Sequence, residues 1–179
     1  MNVQHSSRTD EWYTPLDILT RVQATLGQID FDPASSAVAN IRVGAKYFYT
    51  REMDALKEEW PVAGTIFCNP PGGKRGNVSN TVAFWQKFVA ASHHPHFQAG
   101  IFLAFSLEAL QTTQQCSESI LEHTICVPKK RIAFDRPDGT RGSAPSHSNV
   151  ICLVSKDYSY KSAFFKNFHS LGAVNGDFT

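Results

Sequence analysis

The sequence predicts an α/β fold with a mainly parallel sheet covered by helices on both faces. Three observations predict it. Short apolar runs that read as strands alternate with stretches of helical spacing, the pattern of parallel strands joined by crossover helices. The runs end abruptly at Asp-Pro or Asn-Pro-Pro, which cannot continue a ladder. Both of these stops follow a predicted strand directly, which places them on one edge of the sheet, where ligands of such folds bind.

Taken in order, Thr14-Pro15 opens a helix over "LDILTRVQATLG". Leu16, Leu19, Val22 and Leu26 recur at helical spacing, and Gly27 suits the C-cap. "IDFDPA" is a short strand ending at Asp32-Pro33, "AKYFYT" an aromatic second strand, and "MDALKEEW" a turn or short helix. "GTIFCNPP" is the third strand. "SNTVAFWQKFVAAS" reads as a helix that Ser79 or Asn80 is placed to cap. "AGIFLAFS" is a buried strand, "LEALQTTQQCSESILEH" is mostly helix, and "TICVPKKRIAF" is a strand with its continuation. "DRPDGTRGSAPSHS" is a long Gly/Pro/Ser-rich loop, a kind that is often functional in compact domains. "NVICLVS" is the last clear strand, and the segment from Tyr158 forms a helix around Phe164, Phe165 and Phe168.

With 179 residues the chain fits one domain, drawn here as residues 10–179 behind a flexible, polar N-terminus at residues 1–9. No apolar run reaches the roughly 20 residues of a membrane span. "MNVQHSSRTDEWYTP" has no signal-peptide h-region, so the expected location is the cytoplasm, that of the host cell if the gene is a phage's. Cys68, Cys116, Cys126 and Cys152 include no close pair, and reduced, mainly buried thiols are expected. The net charge of +1 does not advertise nucleic-acid binding, but "PKKRIAF" and "GGKRGN" concentrate cations locally.

The stretch with the most chemical content is "FCNPPGGKRGN". An exocyclic amine on a nucleobase is a poor nucleophile, because its lone pair is delocalised into the ring. Two acceptors on its hydrogens draw the nitrogen toward tetrahedral geometry and free that lone pair. The Asn69 side-chain carbonyl and the Pro70 backbone carbonyl are the candidate acceptors, and Pro71 stiffens the turn. Such a site works by positioning and electrostatics, without a covalent intermediate. A base within a duplex must first be flipped out. "GGKRGN" lacks the spacing of a nucleotide-hydrolysing phosphate loop. Lys74 and Arg75 could instead meet a DNA phosphate, or form a solvated surface loop.

The ordered set "EWYTP", "FDPAS", "YFYTREMDAL" followed by Trp60, "FCNPPGG", "KKRIAF" and "NVICLV" resembles the phage-type DNA N6-adenine methyltransferases. The resemblance runs from about Asp10 to Val154. It implies a Rossmann-like methyltransferase fold, S-adenosylmethionine as cofactor, DNA as partner, and no metal. It also implies that Trp12, Tyr13, Thr14 and Pro15 line the cofactor pocket. By the same likeness Asp32-Pro33 meets the methionine end of the cofactor, Asp54 approaches the adenosine, and Asn69, Pro70 and Pro71 form the catalytic loop. There are two departures. "FDPASSAVAN" lacks the usual glycine-rich turn, and Gly72 stands where an aromatic is commonest, a place that Trp85, Phe84 or another ring could fill.

Without the resemblance, Trp12–Pro15 would simply pack on the first helix, Asp32 would close a turn and Asp54 would cap the next segment. Lys129, Lys130 and Arg131, beside a loop carrying Arg136 and Arg141, are either a solvated strand end or a contact to the DNA backbone. His93, His94 and His96 read as a polar loop rather than a metal cluster. Methylation of another amine, such as cytosine N4, and a catalytically silent methyltransferase-like protein that binds DNA or protein remain alternatives. The sequence leaves the oligomeric state open.

Overall fold

The computed structural model describes residues 12–61, 63–136, 138–142 and 147–176; the N-terminal segment expected at residues 1–9 and part of the long loop lie outside them. In chain order the elements are α1 (Leu16–Leu26), β1 (Phe31–Asp32), α2 (Ala37–Val43), β2 (Tyr47–Phe48), β3 (Gly64–Cys68), β4 (Lys74–Arg75), β5 (Val78–Ser79), α3 (Asn80–Ser92), β6 (Phe97–Ala104), α4 (Glu108–Thr112), β7 (Thr124–Pro128), β8 (Val150–Val154), α5 (Tyr158–Phe168) and β9 (Gly172–Val174).

Seven strands form one sheet in the order β2-β1-β3-β6-β8-β7-β9. β2, β1, β3 and β6 are parallel. β8 runs antiparallel to both β6 and β7, and β9 is antiparallel to β7, so β7 points the same way as β6. The chain leaves β1 toward β2 on one side and returns to β3 on the other. The order therefore reverses between β1 and β3, and Asp32 and Asn69 end these two neighbouring strands. A crevice beyond the carboxyl ends of the strands at such a point is the usual ligand site of an open α/β sheet.

The strands are apolar on both faces, as helices on both sides require. Phe67, Ile101, Leu103, Ile151 and Leu153 face α1 and α5 through Leu19, Val22, Phe164 and Phe168. The alternate residues Ile66, Cys68, Phe102, Val150 and Cys152 face α3 through Phe84, Trp85 and Phe88. Gly100 makes room for this second layer, since a Cβ there would lie 2.5 Å from the Phe88 ring. Cys68, Cys126 and Cys152 are buried, and all four cysteines are free.

Several expectations change. In α1 the buried stripe is Ile18, Leu19, Val22 and Leu26, while Leu16 is 53% exposed. The helix expected from Leu107 to His123 is only α4 followed by two short 3-10 turns, because Thr113 Oγ1 donates back to the Ala109 carbonyl and Ser119 caps a new start. α2 and β9 were not anticipated. The "GGKRGN" segment is a small antiparallel hairpin, β4-β5, with Gly73 and Gly76 at positive φ (88° and 58°).

Candidate active site at the carboxyl edge

β3 is buried through Cys68 and stops at Asn69, because Pro70 and Pro71 cannot donate to a ladder. Asn69 is partly exposed, Pro70 buried and Pro71 exposed, so the turn carries the asparagine out of the core to the rim of the crevice. The Asn69 amide nitrogen donates to Thr14 Oγ1 at 3.0 Å. Thr14 is 6% exposed and comes from the segment that leads into α1. With its nitrogen held there, the side-chain carbonyl of Asn69 takes no protein donor among the described residues. The loop beyond is anchored by Asn80, whose amide donates to the Gly72 carbonyl at 2.8 Å. Asn80 thus secures the turn rather than capping α3, and Ser79 at the N-cap makes no side-chain cap bond.

Across the crevice, Asp32 is 2% exposed at the end of β1. Its Oδ1 accepts from the Ala34 N–H at 2.9 Å, closing a side-chain turn. Ser36 then caps α2 by accepting from Ala39 N–H at 3.1 Å. No residue from Pro33 to Ser36 has positive φ, which is why this turn needs no glycine. Burial pushes the Asp32 carboxyl up to about 7, against the hydrogen bond from Ala34 and the nearby Ser35 hydroxyl. Ser35 lies close enough to favour the charged carboxylate, yet its buried Oγ completes no hydrogen bond of good geometry.

The third wall is built around Asp135, a residue the sequence reading missed. Its carboxylate is nearly fully buried and accepts from Arg42 Nη2 and Arg141 Nε, both at 2.9 Å. Its backbone pairs with Tyr13 in both directions, at 2.8 and 3.0 Å. Beside it Trp12 lies on Gly142, where a Cβ would come within 2.6 Å of the indole ring. The segment Trp12–Pro15 is therefore strapped to the loop after Phe134 and delivers Thr14 to Asn69. Arg136 N–H donates to the Thr140 carbonyl at 2.8 Å, and Asp138 accepts from Thr140.

Asp54 and Arg75 find each other. Asp54 Oδ1 lies 2.7 Å from Arg75 Nη1, and Oδ2 lies 3.4 Å from Lys57. The hydrogen bond from Arg75 is the main influence holding the Asp54 carboxyl below its ordinary value. Asp54 also has a left-handed backbone (φ 54°), rare without glycine. The pair ties the β4-β5 hairpin to the turn at 51–57. Lys74 is exposed on the same hairpin.

Lys129, Lys130 and Arg131 follow β7 at this same edge. With Arg21, Arg141 and Asp17 they line a cleft of about 370 Å³; neither Asn69 nor Asp32 lines it. Trp85 and Phe84 are 0% and 4% exposed inside the α3 layer, so neither ring reaches the crevice beside Gly72.

The family model for DNA N-6-adenine-methyltransferase (Dam) matches residues 2–152. The chain belongs to the Dam family. Membership implies DNA adenine N6-methylation as the general activity of this chain. No curated protein and no solved structure matches it. No helix among the described residues is long and apolar enough to cross a membrane. Among those residues no group of three His, Cys, Asp or Glu is placed to hold a metal ion. His93 instead reaches Glu118 at 2.8 Å, at the far edge of the sheet from Asn69.

Proposed function

We propose that this Dam-family chain transfers the methyl group of S-adenosylmethionine to the N6 amine of adenine in DNA, on a Rossmann-like methyltransferase sheet. The observation that carries this reading is the Asn69–Thr14 hydrogen bond, which turns the asparagine carbonyl toward the crevice as a fixed acceptor.

The residues at Asp32 fit the methionine end of the cofactor. A buried carboxyl with a raised pKa is costly to ionise until a cation arrives, and the buried Ser35 hydroxyl beside it completes no hydrogen bond of good geometry with the protein. Asp32 would hold the ammonium, with Pro33 and the Trp12–Pro15 strap forming the walls of the pocket. When bound, the cofactor supplies a sulfonium-activated methyl group, an electrophile that needs no metal.

The chain's own residues prepare the nucleophile. Asn69 Oδ1 and the Pro70 carbonyl accept the two N6 hydrogens and draw the nitrogen toward tetrahedral geometry. Pro71 keeps the two acceptors at a fixed separation, so little reorganisation is needed when charge develops on nitrogen. The proton shed from N6 passes to solvent at the mouth, where Pro71 and Gly72 are exposed. Lys129, Lys130 and Arg131 line the cationic cleft at the same edge of the sheet and take the DNA backbone, with Lys74 on the hairpin and Arg136 as further phosphate contacts. Arg141 and Arg75 act first through Asp135 and Asp54, holding the walls in place.

The test is methyl transfer from labelled S-adenosylmethionine to unmethylated DNA, with the product digested to nucleosides and resolved by mass spectrometry. N6-methyladenine is the expected product. N4-methylcytosine would move the reading to the other exocyclic amine, and no labelled nucleoside would make the chain a silent binder.

A further inference from the structure

An extruded base leaves its stacking neighbours behind, and the pocket that receives it must replace them with an apolar or aromatic surface. The Asn-Pro-Pro loop offers no aromatic ring, since Gly72 and Gly73 follow it. A stacking surface, best an aromatic ring, must therefore come from another element at the carboxyl edge.

Phe105 is in the position to supply it. β6 lies directly beside β3, and their register pairs Cys68 with Phe102. Three residues beyond that pair, past the ends of both strands, the chain reaches Pro71 after β3 and Phe105 directly after β6. The Phe105 backbone is clamped by Asn149, which is 2% exposed: its amide donates to the Phe105 carbonyl at 3.0 Å, and its oxygen accepts from Ile132 N–H at 3.0 Å. The main chain is thus fixed, while the side chain is 39% exposed, in contrast to Phe102, which is fully buried. One side of the ring meets the His147 ring at a centroid distance of 4.6 Å, and Phe134 stands 6.5 Å away. Phe134 precedes Asp135, which pairs with Tyr13, whose neighbour Thr14 holds Asn69. One continuous set of contacts therefore joins the exposed ring to the asparagine.

We propose that Phe105 is the ring on which the extruded adenine stacks while Asn69 and Pro70 hold its amine. This rests on the reading of the crevice as a site for a flipped base. The backing by His147 and Phe134 keeps the ring from swinging away, so base capture here does not need an aromatic after Asn-Pro-Pro.

The test is direct binding, with methyl transfer read separately on the same proteins. Two DNA duplexes are compared by fluorescence anisotropy in the presence of the methylated cofactor's demethylated product. One carries an unpaired adenine, the other an abasic site at the same position. The wild-type chain should prefer the unpaired adenine, and Phe105→Ala should reduce that preference on the order of tenfold. Phe105→Trp should keep it. Phe105→Leu, which retains apolar bulk, should lose most of it. A Cβ at Gly72 would meet no atom within 4 Å, and its φ is not in the left-handed region, so Gly72→Phe can be added to Phe105→Ala. The double variant should recover part of the preference.

Equal binding of the two duplexes by the wild type, or an undiminished preference in both the Ala and Leu variants, would overturn the proposal. A clear adenine preference in a protein that transfers no methyl group would sink the catalytic reading and leave the stacking role of Phe105 standing.

Discussion

Asn69 and Thr14, 55 residues apart in sequence, are joined by a 3.0 Å hydrogen bond in which the asparagine nitrogen is the donor. A terminal amide has two ends of nearly equal size and opposite polarity. In this arrangement the threonine hydroxyl accepts from the nitrogen end, which leaves the oxygen end for the crevice. Replacing Thr14 by Val keeps the shape and removes that anchor, so the amide is free to turn and present its nitrogen to a substrate amine that needs an acceptor. The expected result is a fall in kcat of about tenfold, the usual worth of one such hydrogen bond, with little change in cofactor affinity. Thr14→Ser should stay near wild type. Steady-state kinetics on both variants checks this.

Asp32 makes the free protein sensitive to pH. Its native pKa of about 7 lies above the ordinary value of 3.8, so between these the native state holds a proton that the unfolded chain has shed. Stability therefore falls as pH rises through this window, by about 4 kcal/mol in all, and is insensitive to this group below it. Asp32→Asn should flatten the dependence and raise the melting temperature at alkaline pH, while abolishing cofactor binding. Thermal melts across pH, paired with calorimetry, measure both.

The same carboxyl predicts how cofactor affinity responds to pH. A cation beside Asp32 favours its charged form, so binding below about pH 7 must expel a proton. Affinity for S-adenosylmethionine should rise about tenfold per pH unit up to that point and then level off. Calorimetry in buffers of different ionisation enthalpy would register the released proton directly. A pH-independent affinity would remove Asp32 from the cofactor site.

Asp135 holds three segments together from a site where its side chain is only 7% exposed. Removing one member of a buried ion pair strands the others, so Asp135→Ala should cost about 3 kcal/mol or more. Arg42→Met and Arg141→Met should each cost less, because the second arginine remains. Denaturant unfolding gives the numbers. The less severe variants should also raise KM, as Trp12 and Tyr13 loosen from the loop that seats them.

The cationic cleft should betray itself in salt. Lys129→Ala with Lys130→Ala removes two exposed cations, and the slope of log affinity against log salt should become shallower by about 2. Binding should weaken on all DNA sequences alike, since phosphate contacts carry no base information.

The sheet was legible in the sequence where burial alone decides structure. β3, β6 and β8 are apolar on both faces, and Asp32 and Asn69 could be placed because each directly follows its strand. α2 escaped notice because it buries only Val43 and leaves Ile41 83% exposed, so no apolar stripe marks it. β9 exists through its pairing with β7, and Gly172 fits there because any Cβ would meet the Val127 carbonyl at 2.0 Å. Neither fact leaves a local trace. In the site, the sequence could name Thr14 and Asn69 but not join them, and it offered no reason to single out Asp135 or Phe105. Their importance comes from neighbours brought in by the fold. The pairing of Asp54 with Arg75 was equally hidden, because each had been read for a different ligand.

The most direct measurement is the single-turnover rate of methyl transfer by wild type and Asn69→Ala, each first shown by calorimetry to be loaded with S-adenosylmethionine. The wild type should yield N6-methyladenine, and the variant should lose about 100-fold or more of the rate at full cofactor occupancy. A loaded Asn69→Ala protein that methylates adenine at close to the wild-type rate would contradict the catalytic role of Asn69.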